Sequence, residues 1–451
     1  MIKDEIFRAN DIRGIYNENL TDETAYIIGK SFGTYALLKN INKVIVGHDN
    51  RKSSPNLHKN LIQGLLDTGI DVIDLGLITT PMFYYARVKL NIWAGLMITA
   101  SHNPSEYNGF KISLDENGTL TKDEIFEFRD FTKEANFKNG SGKLSNYNIK
   151  EEYIENLING LDLGNKKIKL VIDCGNGTCS IIIKDILDKL NVEYDLLYCD
   201  SDPSFPNHHP DPSISKNLVD LQKRVIELKY DIGIAVDADG DRVRIIDNLG
   251  NIIDSDVYMI IMYRYLSKTM KVRKSLYDIR CSKAVADELE KLNIENIMYR
   301  TGNSYIYRKR KELNVEYAGE YSGHMWFADR YCGIDDGIYA GLRMVEILSK
   351  TDKKLNELYQ DITKYYQTDE LKLKTTEEKK YILVDKVKDY VISKDYKFID
   401  IDGIRVLFED GWALIRFSNT GPMVTARFEA CTEERLEEIQ NEFMPIINSY
   451  L

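Results

Sequence analysis

The sequence predicts an α/β protein: three consecutive α/β domains with mixed, mostly parallel sheets, and a smaller C-terminal α+β domain with an antiparallel sheet. Three observations predict this. The chain has 451 residues, 43% of them hydrophobic, which is more than one core usually organises. Apolar strand-like runs alternate with amphipathic helix-like segments over most of the chain. Near the C-terminus, strand-like runs instead follow one another directly.

Short aliphatic runs, each followed by a polar or glycine-containing segment, mark the strands of the three α/β blocks. The runs at 243–247 and 251–254 are expected to pair as a hairpin around the turn at 248–250. A helix is predicted to begin at Gly337. The other predicted strands are 43–46, 71–75, 94–98, 168–173, 231–236, 275–279 and 296–300.

The fourth block follows a polar, lysine-rich stretch at 350–380, which is predicted to be a transition between domains. Its strands are predicted at 396–400, 403–408, 412–416 and 424–429, with a closing helix at 433–450. The four domains are accordingly predicted at 1–149, 150–252, 253–366 and 367–451.

Composition excludes several classes of protein. A net charge of -11 argues against a nucleic-acid partner, because such surfaces are basic. The six cysteines include no C-x-x-C pair, which excludes a zinc ribbon or a dense disulfide framework and indicates reduced thiols in a cytoplasmic protein. No segment has the pattern of a secretory signal or a membrane span, so no membrane partner is expected.

Ser101 follows the buried strand predicted at 94–98, in the segment Thr-Ala-Ser-His-Asn-Pro. A serine at the carboxyl end of such a strand is placed for chemistry, because ligands of α/β sheets bind outside these ends. Ser, Asn and Pro also form ordinary turns, so this segment alone does not decide. A hydrolase triad is disfavoured, because His102 is adjacent in sequence and there is no G-x-S-x-G elbow.

Asp237, Asp239 and Asp241 follow the predicted strand 231–236. Their alternate spacing lets three carboxylates converge on one small, hard cation with oxygen ligands. An EF-hand is excluded, because its sixth position would be Arg242 and its twelfth Asn248. The alternative is a solvated acidic turn, since loops at strand ends are commonly polar.

Two later loops have the character of ligand-binding segments. In 319–324, Glu320, Ser322 and His324 could read sugar hydroxyls, although a turn with a capping serine is the simpler alternative. In 416–422, the guanidinium of Arg416, the side-chain hydroxyls and the backbone N–H groups of the loop could together bind a phosphate dianion. A simple hairpin turn would explain residues 419–422, but it would not explain Arg416 and Ser418. The phosphate-loop candidates are Arg416, Ser418, Asn419 and Thr420.

In this order and spacing, these segments resemble the α-D-phosphohexomutase superfamily, and most of all its bacterial phosphomannomutase/phosphoglucomutase branch, over essentially the whole chain. The resemblance implies three similar α/β domains, a smaller fourth, and an intramolecular phosphotransferase that acts on phosphosugars. It makes Ser101 the phosphoryl carrier. It also implies Mg²⁺ bound by Asp237, Asp239, Asp241 and an oxygen of the phosphorylated Ser101.

Further roles follow from the same resemblance. Lys111 matches the lysine beside the phosphoserine, and Arg13 matches an arginine that stabilises the transferring group. His102 either contacts the phosphate or braces the loop. The loop at 319–324 would bind the sugar and the loop of Arg416 the non-reacting phosphate.

The implied reaction is a two-step exchange. Phospho-Ser101 gives its phosphoryl group to the free end of a hexose 1- or 6-phosphate, which produces a bound hexose 1,6-bisphosphate. This intermediate then reverses its orientation in the site, and its other phosphate returns to the serine. The implied cofactors are Mg²⁺ and the bisphosphate, which is both activator and intermediate. The expected partner is the phosphosugar substrate, and the expected assembly is a monomer or homodimer.

Alternatives remain at this stage. One alternative is a phosphoglucosamine mutase, and another is a non-catalytic regulator that binds a metal or a sugar phosphate. A third is an aspartyl-nucleophile phosphatase in which Asp237 is phosphorylated. The presence of Asp241, where such a phosphatase would have a threonine, argues against it. The sequence also departs from the superfamily at Asn303, where histidine is common, and at Asn10, where tyrosine is common. Either change could alter proton relay or sugar preference.

Overall fold

The computed structural model describes residues 2–134, 136–417 and 421–451. The chain divides into two compact units. Unit 1 comprises Met1–Asp254, Asn303–Ala318 and Ser322–Leu358, and unit 2 comprises Ser255–Gly302, Gly319–Tyr321 and Tyr359–Leu451. The four predicted domain boundaries remain predictions.

The first sheet lies in unit 1 and is mixed, with the strand order β1-β5-β4-β2-β3-β6. The pairs β2–β3, β2–β4 and β3–β6 are parallel, whereas β1 and β4 run antiparallel to β5. Its strand β5 carries Lys111 opposite Met97 of β4, close to where β4 ends. The elements are β1 (Ile12–Ile15), α1 (Asp22–Leu38), β2 (Lys43–His48), α2 (Ser54–Leu66), β3 (Asp71–Leu77), α3 (Thr80–Leu90), β4 (Gly95–Ile98), β5 (Tyr107–Ser113), α4 (Lys122–Glu134) and β6 (Leu144–Asn146).

The second sheet also lies in unit 1, with the order β11-β10-β9-β7-β8. Strand β7 is parallel to β8 and β9, and the predicted hairpin is confirmed as the antiparallel pair β10–β11. Every residue of β9 is buried, which explains its unbroken apolar sequence. The elements are α5 (Lys150–Asn159), β7 (Ile168–Asp173), α6 (Ile183–Leu187), β8 (Val192–Leu197), α7 (Val219–Leu228), β9 (Ile232–Val236), β10 (Val243–Asp247) and β11 (Ile252–Ile253).

The third block has very short strands. In unit 2, β12 pairs in parallel with β13, and Tyr277 of β12 also pairs with Gly319. In unit 1, the predicted helix at Gly337 is confirmed as α11, which begins after Asp336, whose side chain accepts from the backbone N–H of Tyr339. The elements are α8 (Ser255–Thr269), β12 (Tyr277–Asp278), α9 (Lys283–Lys291), β13 (Met298–Tyr299), α10 (Asn303–Leu313), β14 (Tyr317–Gly319), β15 (Met325–Phe327) and α11 (Gly337–Ser349).

The last sheet lies in unit 2 and its pairings are antiparallel, as predicted. Helices α12 and α13 cover a core that includes Val387, Phe428 and Phe443. The stretch 350–380 is not only a transition, because it contributes two edge strands and the start of α12. The elements are β16 (Tyr366–Gln367), β17 (Leu371–Lys374), α12 (Glu377–Ser393), β18 (Lys397–Ile399), β19 (Ile404–Phe408), β20 (Gly411–Phe417), β21 (Met423–Ala430) and α13 (Glu433–Tyr450).

Mixed sheets followed by an antiparallel one confirm the predicted fold class. In the described part of the chain, none of the helices combines the length and the apolar composition that a membrane span requires.

Candidate active site

Ser101 lies in the loop after β4 and is almost completely buried. Its Oγ donates to Oδ2 of Asp237 over 3.0 Å and lies 3.1 Å from Nδ1 of His102. Its backbone adopts φ +47°, a left-handed conformation that costs a non-glycine residue about 1–3 kcal/mol and persists only where the surrounding structure enforces it. The serine is therefore held in a strained conformation beside the acidic loop.

Arg51 holds this loop. Its guanidinium, which is buried, donates to the backbone carbonyls of Ser101 (2.5 Å), Asn103 (2.6 Å), Pro104 (2.6 Å) and Tyr107 (3.1 Å). One buried side chain thus ties together four backbone carbonyls of the serine loop.

The charge of Arg51 is balanced by Asp49, whose Oδ2 lies 3.1 Å from its Nε. Oδ1 of the same carboxylate accepts from the Arg51 backbone N–H at 3.0 Å and from the Ser54 hydroxyl at 2.5 Å. Sequence reasoning assigned no role to Arg51. The signal was available, because Asp49 and Arg51 directly follow a buried strand.

The acidic loop after β9 places Asp237, Asp239 and Asp241 in one fully buried cluster. One oxygen from each of the three lies within 4.8 Å of the others. Asp237 fixes the loop itself, because its Oδ1 accepts from the backbone N–H groups of Gly240 and Arg242, each at 3.1 Å.

Asp239 joins the two loops. Its Oδ2 accepts from the hydroxyls of Thr80 (2.7 Å) and Thr99 (3.1 Å) and from Nζ of Lys111 (2.9 Å). The same ammonium lies 2.5 Å from Oδ2 of Asp241. The structure thus brings together the serine, the lysine and the three aspartates that the sequence singled out.

The charges of this cluster shift its pKa values in opposite directions. Burial and repulsion from the two neighbouring carboxylates raise the pKa of Asp237 well above its usual range. Burial also acts to raise the pKa values of Asp239 and Asp241, but both are lowered: that of Asp239 by Lys111 and the Thr80 hydroxyl, and that of Asp241 by Lys111, His324 and Arg242. Burial opposes the charge of Lys111, yet Asp239 and Asp241 raise its pKa well above the usual value. Lys111 is therefore protonated here.

The cluster fits a hard cation. Oδ1 of Asp239 and Oδ1 of Asp241 are buried and have no hydrogen-bond partner among the described residues. Three carboxylates in one buried site require positive charge, which the Lys111 ammonium supplies in part. The unpartnered oxygens are the donor type that Mg²⁺ and Ca²⁺ prefer.

His102 and Arg13 complete the surroundings of Ser101. Burial, together with the positive charges of Arg242 and Arg13, lowers the pKa of His102 well below its usual value, so this imidazole is neutral. Arg13, on β1, donates to Oδ1 of Asn103 over 2.8 Å and pairs with Asp11. Arg13 thus contacts the serine loop through Asn103.

His324 also reaches the acidic loop. Its Nδ1 lies 2.8 Å from Oδ2 of Asp335 and 3.7 Å from Oδ1 of Asp241. Arg242 donates from Nε to the other ring nitrogen over 2.9 Å, which places the ring proton on Nδ1. Asn303 donates to the same Asp335 carboxylate. Sequence reasoning gave no role to Arg242 or Asp335, because their contacts with His324 depend on how the loops fold.

The other predicted binding residues are distributed over the two units. Ser322 and His324 belong to unit 1, whereas Glu320 belongs to unit 2, where its buried Oε1 accepts from the backbone N–H of Gly302 over 2.7 Å. Arg416 is also in unit 2 and donates to Oδ2 of Asp402 over 2.7 Å. The remaining predicted residues of its loop, Ser418, Asn419 and Thr420, lie outside the described residues.

Four family models match the chain in order. They are described as phosphoglucomutase/phosphomannomutase alpha/beta/alpha domains I, II and III and the C-terminal domain of the same family. The matched residues are 4–139, 151–250, 254–366 and 370–446.

Individual relatives are similar along nearly their whole length. A phosphomannomutase/phosphoglucomutase of Pseudomonas syringae pv. tomato is 37% identical over 443 residues, 98% of this chain and 95% of that protein. A phosphoglucomutase of Neisseria meningitidis serogroup A is 36% identical and covers 99% and 97%. A probable phosphoglucosamine mutase of Thermococcus gammatolerans is 33% identical and covers 97% and 96%.

A solved structure is similar over the whole fold. It is a phosphoglucomutase/phosphomannomutase family protein from Burkholderia thailandensis, with a TM-score of 0.92 and 32% identity over 100% of this chain and 98% of that chain.

Proposed function

The chain belongs to the phosphoglucomutase/phosphomannomutase family, and from this premise we propose that it interconverts hexose 1-phosphates and hexose 6-phosphates through phosphorylated Ser101. The observation that carries the proposal is the hydrogen bond between Ser101 and Asp237, which joins the proposed carrier to the acidic cluster. It is an enzyme of the isomerase class, a mutase that moves a phosphoryl group.

The first chemical step breaks the bond between phosphorus and the Ser101 oxygen and forms a bond between phosphorus and a free hydroxyl of the bound sugar phosphate. The hydroxyl loses its proton and the serine oxygen gains one. The product is a hexose 1,6-bisphosphate. After the sugar has reversed its orientation in the site, the second step reverses these changes with the other phosphate. The enzyme therefore gains or loses no phosphoryl group over the full cycle.

Lys111 and His102 are suited to move the protons. Lys111 is protonated and contacts the aspartates beside Ser101, so it can donate to the departing serine oxygen. His102 is neutral, with Nδ1 3.1 Å from that oxygen, so it can accept a proton. Arg13 supplies positive charge near the loop, where charge shifts during the transfer.

Mg²⁺ is the proposed metal, held by Asp237, Asp239, Asp241 and an oxygen of the phosphorylated serine. The two unpartnered carboxylate oxygens and the direct contact of Ser101 with Asp237 support this ligand set. A bound divalent cation would neutralise charge on the transferring phosphoryl group.

The proposed substrate contacts come from the two later loops. Glu320, Ser322 and His324 would bind sugar hydroxyls, and His324 is already oriented by Asp335. Arg416 would bind the phosphate that is not reacting, with Ser418, Asn419 and Thr420 of its loop. The pairing of Arg416 with Asp402 keeps its guanidinium in a fixed position.

Glucose and mannose phosphates are the proposed substrates, because relatives with 36–37% identity are named phosphoglucomutase or phosphomannomutase. Glucosamine 6-phosphate is the second candidate, since a relative with 33% identity is named probable phosphoglucosamine mutase. A cytoplasmic location and a monomeric or homodimeric state remain predictions from the sequence.

One assay tests the function. Glucose 1-phosphate, mannose 1-phosphate and glucosamine 6-phosphate are each supplied with a trace of the matching 1,6-bisphosphate, and the isomeric product is measured by coupled oxidation or chromatography. Turnover of the first two substrates supports the proposal. Turnover of glucosamine 6-phosphate alone would indicate a phosphoglucosamine mutase. Release of inorganic phosphate from all three substrates would indicate a phosphatase.

A further inference from the structure

Two cysteines of unit 1 are in direct contact. Sγ of Cys199 lies 2.9 Å from Sγ of Cys174, although 25 residues separate them. Cys174 is fully buried, and Cys199 is partly exposed. The sequence predicts only scattered, reduced thiols, because nothing in their spacing shows that they meet.

The fold explains the contact. Strands β7 and β8 are parallel neighbours in which Asp173 pairs with Leu197, and the Cys174 N–H donates to the Leu197 carbonyl over 3.2 Å. Tyr198 then adopts φ +52°, which turns the chain at the point where Cys199 meets Cys174. The two sulfur atoms are therefore already in contact, and a disulfide requires Cα atoms about 4.4–6.8 Å apart.

We propose that Cys174 and Cys199 are a redox-active pair that hydrogen peroxide converts into an intramolecular disulfide. The sulfur of Cys199, the less buried residue of the pair, attacks one peroxide oxygen and becomes a sulfenic acid, with release of one water. The sulfur of Cys174 then attacks the sulfenic sulfur, an S–S bond forms, and a second water leaves. Two thiols and one peroxide thus give one disulfide and two waters, and a dithiol reductant reverses the reaction.

The different surroundings of the two thiols assign the order of attack. Burial raises the pKa of Cys174 well above its usual value, so this thiol is a poor first nucleophile. Its sulfur nevertheless lies next to Cys199, ready to react with an oxidised sulfur there. This arrangement resolves a sulfenic acid at Cys199 before further oxidation.

The segment that follows Cys174 contacts the acidic loop. Cys174 begins a segment whose Thr178 N–H donates to the Ala238 carbonyl over 2.7 Å, between Asp237 and Asp239. Gly177 packs so closely on Ala238 that an added Cβ would lie 2.7 Å from its Cα. A bond at Cys174 would therefore tie the segment that supports the acidic loop to β8.

The test is a titration of the reduced enzyme with hydrogen peroxide, followed by alkylation of remaining thiols, intact mass measurement and peptide mapping. The expected result is a loss of two hydrogens per chain, one peptide linking Cys174 to Cys199, and full reversal by dithiothreitol. In Cys174→Ser, Cys199 is expected to accumulate as sulfenic acid that dimedone traps. The exposed Cys431 is the matched control, and Cys431→Ser is expected to form the same disulfide as the wild type.

The proposal is wrong if the linked peptide is missing while Cys199 is over-oxidised in the wild type, or if Cys174→Ser leaves the fate of Cys199 unchanged. Mutase activity and the circular dichroism spectrum of each reduced variant show that it is folded. A folded Cys199→Ser that still gives a disulfide at Cys174 would equally overturn the assignment.

Discussion

The hydroxyl of Ser101 donates a hydrogen bond to the carboxylate of Asp237 over 3.0 Å, across 136 residues of chain. The two residues follow the carboxyl ends of β4 and β9, strands of different sheets. Because unit 1 brings these two strand ends together, a carrier hydroxyl and three carboxylates share one buried site. Three predictions concern how that site and the binding loops are held, a fourth concerns the pH dependence of stability, and a fifth concerns the carrier itself.

Arg51→Lys is expected to lower kcat at least about tenfold with a smaller change in KM, because unpaired buried acceptors cost about 1–3 kcal/mol each and lysine cannot reach four carbonyls. Steady-state kinetics and thermal unfolding measure the two effects separately. The matched control is Arg405→Lys in unit 2, another buried arginine that donates to backbone carbonyls, those of Ile279 and Cys281. It should lose stability and keep its kcat. Equal kcat losses in both variants would show that Arg51 is merely structural.

Asp239→Asn is expected to lower kcat by roughly a hundredfold or more, about 2.7 kcal/mol of transition-state stabilisation, with little change in substrate affinity. Asp239 accepts from two threonines and Lys111 as well as offering an unpartnered oxygen. Asp231→Asn, next to the opposite end of β9, is the control and should retain normal turnover. EDTA should abolish wild-type activity and Mg²⁺ should restore it. Full activity in excess EDTA contradicts the metal proposal.

Arg416→Ala is expected to lower kcat/KM by roughly ten- to a hundredfold, since charge-assisted hydrogen bonds contribute about 1.5–3 kcal/mol. The loss should be similar for glucose 1-phosphate and glucose 6-phosphate, because the non-reacting phosphate is bound in both orientations. Arg435→Ala, at a partly exposed arginine of the same unit that pairs with Asp410, is the control and should resemble the wild type. Wild-type kinetics of Arg416→Ala in both directions would leave its loop as a simple turn.

His208 is expected to make stability depend on pH near neutrality. Burial acts to lower the pKa of His208, but its hydrogen bond to Asp173, 3.0 Å long, outweighs burial and raises it. A raised pKa in the folded state stabilises the protein below the unfolded value, and this stabilisation disappears as pH rises through the folded value. The Tm of His208→Gln should therefore fall less than that of the wild type between about pH 6 and pH 8.

His209 provides the opposite control, because burial lowers its pKa. His209→Gln should make the fall in Tm steeper, since it removes a group that favours folding at higher pH. An identical pH dependence of Tm in both variants and the wild type contradicts the assignment.

The sequence predicted the fold class, the hairpin of β10 and β11, and the start of α11, because local hydrophobic periodicity and capping residues determine these features. It did not predict the strands within 350–380. Strand β16 has only two residues, both exposed, and β17 alternates Leu and Lys over only four residues within a lysine-rich stretch. Both depend on pairing with β21, which a short run of sequence does not reveal.

The candidate site shows the same division. Ser101 and the three aspartates could be predicted, because each follows an apolar strand directly. Arg51 was missed because it acts on carbonyls around Ser101, 50 residues away. Asp335 was missed because the sequence does not show that the chain folds back to bring it to the ring of His324, 11 residues earlier. Nor could the sequence show that Arg416 pairs with Asp402, or that two scattered cysteines touch.

The central claim is that Ser101 carries the phosphoryl group, and the direct measurement is intact mass and peptide mapping after incubation with a hexose 1,6-bisphosphate. The wild type is expected to gain one phosphoryl group on the peptide containing Ser101. Ser101→Ala is expected to gain none and to lose steady mutase turnover, whereas Arg416→Ala should still be phosphorylated at high bisphosphate concentration. A phosphoryl group on Asp237, or full turnover by Ser101→Ala, contradicts the account.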